Sequence, residues 1–293
     1  VSSVGTLDIF PPEILLMILD VLDVQSIARL SMACFRARTV VWSMLAYRDL
    51  IEFALPTMVA LVRTGMASYH SITQLHGALR SEQCCTCSEY GPFLFLPTCS
   101  RCCYTCLQFR PCFLMLEPEE VENYFALSRY QVDKLPMFWV VPEFYDPNHS
   151  GLLRKQDYTL VNVLAARELS VEVHGSLGKT HVRPLHDTDH FRYHAVGRFL
   201  LSQPLAPYDD DCIEDVYFEE PDEFFGRAVM EFPSLSKTGE LDEGLWCLGC
   251  EPTKLPIDPP PPVNAKSRPW DRAWSTVSFL EHVKRCPGAR ELL

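Results

Sequence analysis

Phe10-Pro11-Pro12-Glu13-Ile14-Leu15-Leu16-Met17-Ile18-Leu19-Asp20-Val21-Leu22-Asp23, followed by Ser26-Ile27-Ala28-Arg29-Leu30-Ser31-Met32-Ala33-Cys34-Phe35-Arg36, is the stretch on which the fold turns. Pro12 suits a first helical turn, where a missing N–H costs nothing, and Glu13 suits the positive end of the helix. At 100° per residue Ile14, Leu15, Ile18, Leu19 and Leu22 share one arc. Leu16, Met17 and Val21 cover most of the remainder, which leaves Glu13 and Asp20 a narrow polar strip. A helix apolar nearly all round needs cover on more than one side, and the amphipathic helix from about Ser26 to Arg36 supplies only part of it. The rest of the cover comes either from later segments of this chain or from another molecule.

The order of apolar residue, proline, glutamate and Ile-Leu, then Ile18-Leu19, Leu22, an acidic turn, Ile27, Leu30 and Ala33-Cys34, resembles an F-box over about Leu7 to Ser43. Phe10 stands where leucine is commoner in that family, and Arg38 and Trp42 loosely echo its closing arginine-tryptophan pair. The resemblance implies docking on a Skp1-like adaptor of a cullin ubiquitin ligase, with Phe10, Pro11, Ile14, Ile18, Leu19 and Leu30 lining the interface.

Outside this module, composition narrows the choices. The chain has 293 residues, 47% of them hydrophobic, which is enough for a real core. A formal net charge of −12 opposes binding to nucleic acid, whose recognition depends on clustered Lys and Arg. No stretch approaches the roughly 18 apolar residues of a membrane helix, since the run from Ile51 to Val62 contains Glu52 and Pro56. No charged-then-apolar leader pattern follows Val1, and numbering from a valine leaves open a preceding segment. From Val40 to about Arg80 the apolar spacing predicts two or three further helices, broken once at Pro56.

The 13 cysteines include a dense group: Cys84, Cys85, Cys87, Cys99, Cys102, Cys103, Cys106 and Cys112. Cys84-x2-Cys87, fifteen residues, then Cys103-x2-Cys106 is the spacing of a tetrahedral thiolate zinc site in a reducing compartment, cytoplasmic or nuclear. The first pair is expected on a tight knuckle, Phe93 to Leu96 in a short hairpin, and the second pair at the opening of a helix. Cys99-x2-Cys102 is an equally legal pair, and Cys85 could replace Cys84. The segment also has the flavour of a RING finger, although only Cys112 follows before Cys212, where a RING needs a further pair. The phrase Gly91-Pro-Phe-Leu-Phe-Leu-Pro-Thr-Cys99-x-Arg101-x-Cys103-x-x-Cys106 after an F-box resembles F-box proteins of filamentous fungi.

Further on, an acidic helix is expected over Glu117 to Ser128, a strand over Met137 to Val141, and a second strand in the alternation Leu169-Ser-Val171-Glu-Val173 before Gly175. His186, His190 and His194 recur at helical spacing and could clamp a metal, but no His-Glu-x-x-His arrangement accompanies them. Nine carboxylates between Asp209 and Glu223 lack the oxygen pattern of an EF-hand and read as a solvated acidic loop able to attract a basic substrate. Near the end, Cys247-x2-Cys250 and His282-x3-Cys286 make a second zinc candidate, with the last two residues expected on one helix.

The expected architecture is α+β: an N-terminal helical F-box followed by a zinc-stabilised mixed region. Its parts are an F-box at 1–50, a helical connection at 51–82, a cysteine-rich zinc knuckle and helix at 83–125, and a recognition region at 126–293 closed by the second zinc. The expected function is that of a non-catalytic Skp1–cullin–F-box receptor with two structural zinc sites and a client protein of unread identity. The alternatives are a zinc enzyme, either a RING-type ligase or a hydrolase using His186, His190 and His194, and a zinc-bearing interaction protein with the N-terminal helix as core.

Overall fold

A computed structural model describes residue 3 and residues 5–140, 158–175, 224–250 and 271–292. The histidine triplet and the carboxylate run from Asp209 to Glu223 lie outside these residues. The described chain mixes helices with small antiparallel sheets, an α+β arrangement.

Six helices come first: α1 Pro12–Asp20, α2 Val24–Ala33, α3 Phe35–Ser43, α4 Leu45–Phe53, α5 Leu55–Arg63 and α6 Ile72–Leu79. Their starts follow from local chemistry. Pro12 opens α1, and the Asp23 carboxylate accepts the Ser26 N–H at 2.8 Å to cap α2. Ser71 caps α6 in the same way. Pro56 lies in the first turn of α5, so the break falls at Ala54 and the proline begins a helix instead of interrupting one. The segment with Arg38 and Trp42 is helical as α3, and Trp42 meets Tyr47 edge-on.

Beyond the helices, β1 Phe93–Phe95 and β2 Ser100–Cys102 form the expected hairpin, and β6 Val229–Glu231 pairs on the other side of β1. The helix α7 Tyr104–Phe109 follows. A second sheet has the order β3 Met115–Leu116, β5 Thr159–Asn162, β4 Phe138–Trp139, and is packed by α8 Pro118–Phe125, α9 Arg129–Val132 and α10 Val163–His174. Two short ribbons, β7 Ser234–Leu235 with β8 Leu241–Asp242 and β9 Leu245–Trp246 with β10 Ala273–Trp274, lead to α11 Thr276–Val283 and α12 Pro287–Glu291.

The structure overturns one expected strand. Leu169 to Val173 belongs to α10, which Asn162 caps through Leu164 N–H at 3.1 Å and Gly175 ends at φ 73°. Its buried positions Val163, Ala166, Arg167 and Ser170 follow helical spacing. The run of good helix formers from Leu164 to Leu169 outweighs a five-residue alternation, and Gly175 is a left-handed helix stop, not a hairpin turn.

One apolar core runs from Leu19, Val24 and Ile27 through Leu50, Leu61 and Leu75 to Leu94, Phe95 and Phe232. It therefore joins the helical module, the connection and the cysteine segment without a seam, and residue 50 falls inside α4. A buried arginine ties this core together. Arg101, on β2, donates to the carbonyls of Ala78, Gly91 and Phe232 at 3.2, 2.6 and 2.8 Å, and to that of Pro233 at 2.5 Å. It also lies over the Phe232 ring. Burial pushes its guanidinium down to about 10, and the carbonyls at its nitrogens offset the cost of burying that charge.

Candidate metal centres and docking face

The first cluster is assembled by a turn and a helix start. Ser88, at φ 60°, closes the knuckle after Cys87, while Cys84 N–H donates to Glu89 C=O at 2.7 Å. Cys103 is the N-cap of α7, and its sulfur accepts the Cys106 N–H at 3.4 Å, so both thiols sit at the positive end of the helix. The ligand atoms of Cys84, Cys87, Cys103 and Cys106 lie within 4.8 Å of one another, with Cys87 and Cys103 sulfurs 3.6 Å apart. A tetrahedral ion with bonds of about 2.3 Å to sulfur sets its ligands about 3.8 Å apart, so this set could hold a metal ion.

The competing thiols are elsewhere. Cys99 takes the left-handed turn between β1 and β2, and burial pushes it up to about 12. Cys102 is fully enclosed on β2 and is raised well above the ordinary thiol range, first by burial. Cys112, also raised to about 12 mainly by burial, stands apart as well. Cys85 is exposed, lies outside the four, and is raised chiefly by its hydrogen bond with Cys84. Within the cluster, hydrogen bonds with Cys103 and Cys106 hold Cys84 far below the usual range. Hydrogen bonds to Cys106 and Cys84 push Cys103 far above it. Four thiols this close cannot all ionise together without a positive charge among them, the electrostatic setting of a cation site.

The second cluster spans a gap in sequence. Cys247 follows β9, Cys250 ends the 3₁₀ turn Leu248–Cys250, His282 is on the last turn of α11, and Cys286 is the N-cap of α12. Cys286 is thus placed by a break between two helices and not by continuation of one. The four ligand atoms again lie within 4.8 Å of each other. Cys250 and Cys286 sulfurs are 3.6 Å apart, and Cys250 sulfur is 3.3 Å from His282 Nε2. Burial, and then Arg272, lower the His282 pKa, which favours the neutral imidazole a metal takes. Trp274 stacks on the His282 ring at 4.3 Å, and Arg272 lies over Trp274 while pairing with Glu89 beside the first cluster. The Arg101 clamp and this stack were not anticipated from sequence, although Arg101 stands conspicuously among the cysteines.

Helix α1 is only half covered. Leu15 and Leu19 are buried, whereas Ile14 is 40%, Met17 66% and Val21 77% exposed, an outward stripe at i, i+3 and i+7. Phe10 and Pro11 ahead of α1 are exposed too, as are Met32 and Phe35 at the α2–α3 junction. Ile18 and Leu30 are partly covered and flank a groove of about 410 Å³ between α1 and α2, with Leu15, Leu19 and Leu22 in its walls. Leu19 differs from the other five expected interface residues: at 3% exposure it belongs to the core and anchors α1.

Compared with known protein families, with curated proteins and with solved structures, the chain has no match. No described helix is long and apolar enough to cross a membrane.

Proposed function

We propose that the chain is the non-catalytic receptor subunit of a Skp1–cullin–F-box ubiquitin ligase. Helices α1 to α3 dock a Skp1-like adaptor, zinc fills both four-ligand clusters, and the remainder presents a client-binding surface in the cytoplasm or nucleus. The carrying observation is the bare stripe of Ile14, Met17 and Val21 beside the α1–α2 groove. Contiguous exposed apolar surface of this kind marks an interaction site, and covering it gains about 25 cal/mol per Å² of apolar area removed from water. Of the residues that the F-box resemblance assigns to the adaptor, Ile14 lies on this stripe, and Ile18 and Leu30 line the groove.

Zinc follows from the donors. Thiolate and imidazole in four-ligand sets suit this ion, and sets already closed by four protein ligands stabilise a fold without leaving a position for substrate. A RING draws no support, because among the described residues the cysteine segment gathers one set of four.

The test is co-expression with Skp1 followed by size-exclusion chromatography. Wild-type protein is expected to retain Skp1, and a double change of Ile14→Asp and Met17→Asp to lose it while keeping two zinc ions and an unchanged melting profile. These positions are exposed, so the change does not attack the core. Failure of the wild-type chain to hold Skp1, or equal retention by the variant, refutes the reading.

A further inference from the structure

The two four-ligand clusters differ in what supports them. Cys84, Cys103 and Cys106 belong to the same apolar core as Leu94 and Phe95, so the first cluster has support beyond its own ligands. Among the described residues the second has almost no core of its own. Its buried members are Cys247, Cys250, Cys286 and Ala289, with Phe279 and Val283 partly buried against them, and α11 buries no residue. Three of those four buried members are themselves candidate ligands. A segment whose interior is its own ligand set draws its folding free energy from the ion it holds. The strands β9 and β10 with α11 and α12 are therefore the element that the ion orders.

That element reaches the first cluster at three places. Arg272 pairs with Glu89, whose carbonyl accepts the Cys84 N–H at 2.7 Å. The same guanidinium lies 3.9 Å over Trp274, which stacks on the ligand candidate His282. Trp246, next to Cys247, meets Phe93 of β1 with ring centroids 6.3 Å apart. Tyr90 O–H donates to Asp242 C=O at 3.0 Å, and the Asp242 carboxylate accepts the Thr276 N–H of α11 at 2.7 Å. A partly exposed ion pair such as Arg272–Glu89 contributes little alone. All of these contacts, however, form or vanish with the folding of one element.

We infer that the two metal sites are thermodynamically linked. Filling the second cluster sets the C-terminal element against the Cys84–Cys87 knuckle and raises the affinity of the first cluster for its ion. By reciprocity, filling the first raises the affinity of the second by the same factor. The first cluster, supported by the main core, still fills alone, but more weakly. The physical basis is one element with an ordered and a disordered state, biased by both ions, with Arg272 and Glu89 as positioning residues at the junction. The inference rests on the reading of both clusters as metal sites and is independent of adaptor docking.

The probe is cobalt(II), titrated into the metal-free full chain against a competing chelator, because its visible bands distinguish a four-sulfur set from one of three sulfurs and a nitrogen. Two ions are expected per chain. Cys286→Ser should weaken the four-sulfur site about tenfold, and Cys84→Ser should weaken the other site by the same factor. Because losing a ligand also disturbs its surroundings, charge reversal tests the link with both ligand sets intact. Arg272→Glu should weaken the four-sulfur site and Glu89→Arg the mixed site, each about threefold, and the double reversal should restore both. A four-sulfur site of unchanged affinity in both Cys286→Ser and Arg272→Glu would overturn the inference, as would a double reversal no better than its worse single change. If neither set takes cobalt, the metal reading falls and the linkage with it; if both fill with independent affinities, only the linkage falls.

Discussion

Gly249 and Gly288 lie backbone against backbone, and neither has room for a Cβ: one added to Gly249 would collide with the Gly288–Ala289 peptide, and one added to Gly288 with the Gly249 carbonyl. The contact holds the turn carrying Cys250 against the helix start carrying Cys286. Gly249→Ala or Gly288→Ala should therefore force the ligand pairs apart. Metal analysis is expected to find one zinc in either variant against two in the parent, with the first cluster intact.

Ligand identity in the cysteine segment can be read by single substitutions. Cys103→Ser removes a sulfur from the cluster while leaving a hydroxyl able to cap α7, and one zinc should be lost. Cys99→Ser, in the β1–β2 turn, should leave zinc at two per chain. Loss of metal in the second variant with retention in the first would show that the pairs had been exchanged.

Arg101 makes a larger energetic demand. Truncation to Met leaves the carbonyls of Ala78, Gly91, Phe232 and Pro233 short of a donor in the interior, and a cost of about 3–5 kcal/mol is expected in denaturant unfolding. Arg101→Lys should rescue little, since one ammonium cannot span carbonyls that a planar fork reaches together. A Cβ at Gly91 would stand 2.7 Å from Arg101 Cγ, so Gly91→Ala should be destabilised through the same contact.

Asp49 gives a pH dependence. Its carboxylate, 8% exposed as a residue, lies 2.8 Å from His76 Nε2 and 2.7 Å from an Arg80 nitrogen. Burial alone would raise its pKa, but these partners hold it below the ordinary 3.8. An acid lowered on folding contributes stability that is complete above the unfolded value and is lost as pH falls through the folded one. Asp49→Asn should thus lower stability by about 1–3 kcal/mol near pH 7, a gap that closes as pH falls below 3.8 and Asp49 takes up its proton. Paired thermal melts across this range measure the gap; one that fails to close below pH 3.8 contradicts the assignment.

The sequence disclosed what depends on short-range rules. Pro12 and Asp23 mark helix starts, and the two C-x-x-C knuckles mark thiols gathered into sets that could hold a metal ion, because these signals act within one turn of chain. Choosing Cys103 over Cys99 required the hairpin that turns Cys99 aside, and Leu169 to Val173 misled because five residues fit either period. The Arg101 clamp depends on β6 arriving from more than a hundred residues away, and no local pattern reveals that. The helical wheel of α1 foretold incomplete cover but could not separate Leu19, which faces the core, from Ile14, which does not.

The second cluster fastens two points of the chain on either side of residues 251–270. A single proteolytic nick in that interval would consequently produce two fragments that travel as one through a column. If the cluster holds an ion, a chelator should loosen that association, leaving the β9–β10 pairing and the Gly249–Gly288 contact to hold the two fragments alone.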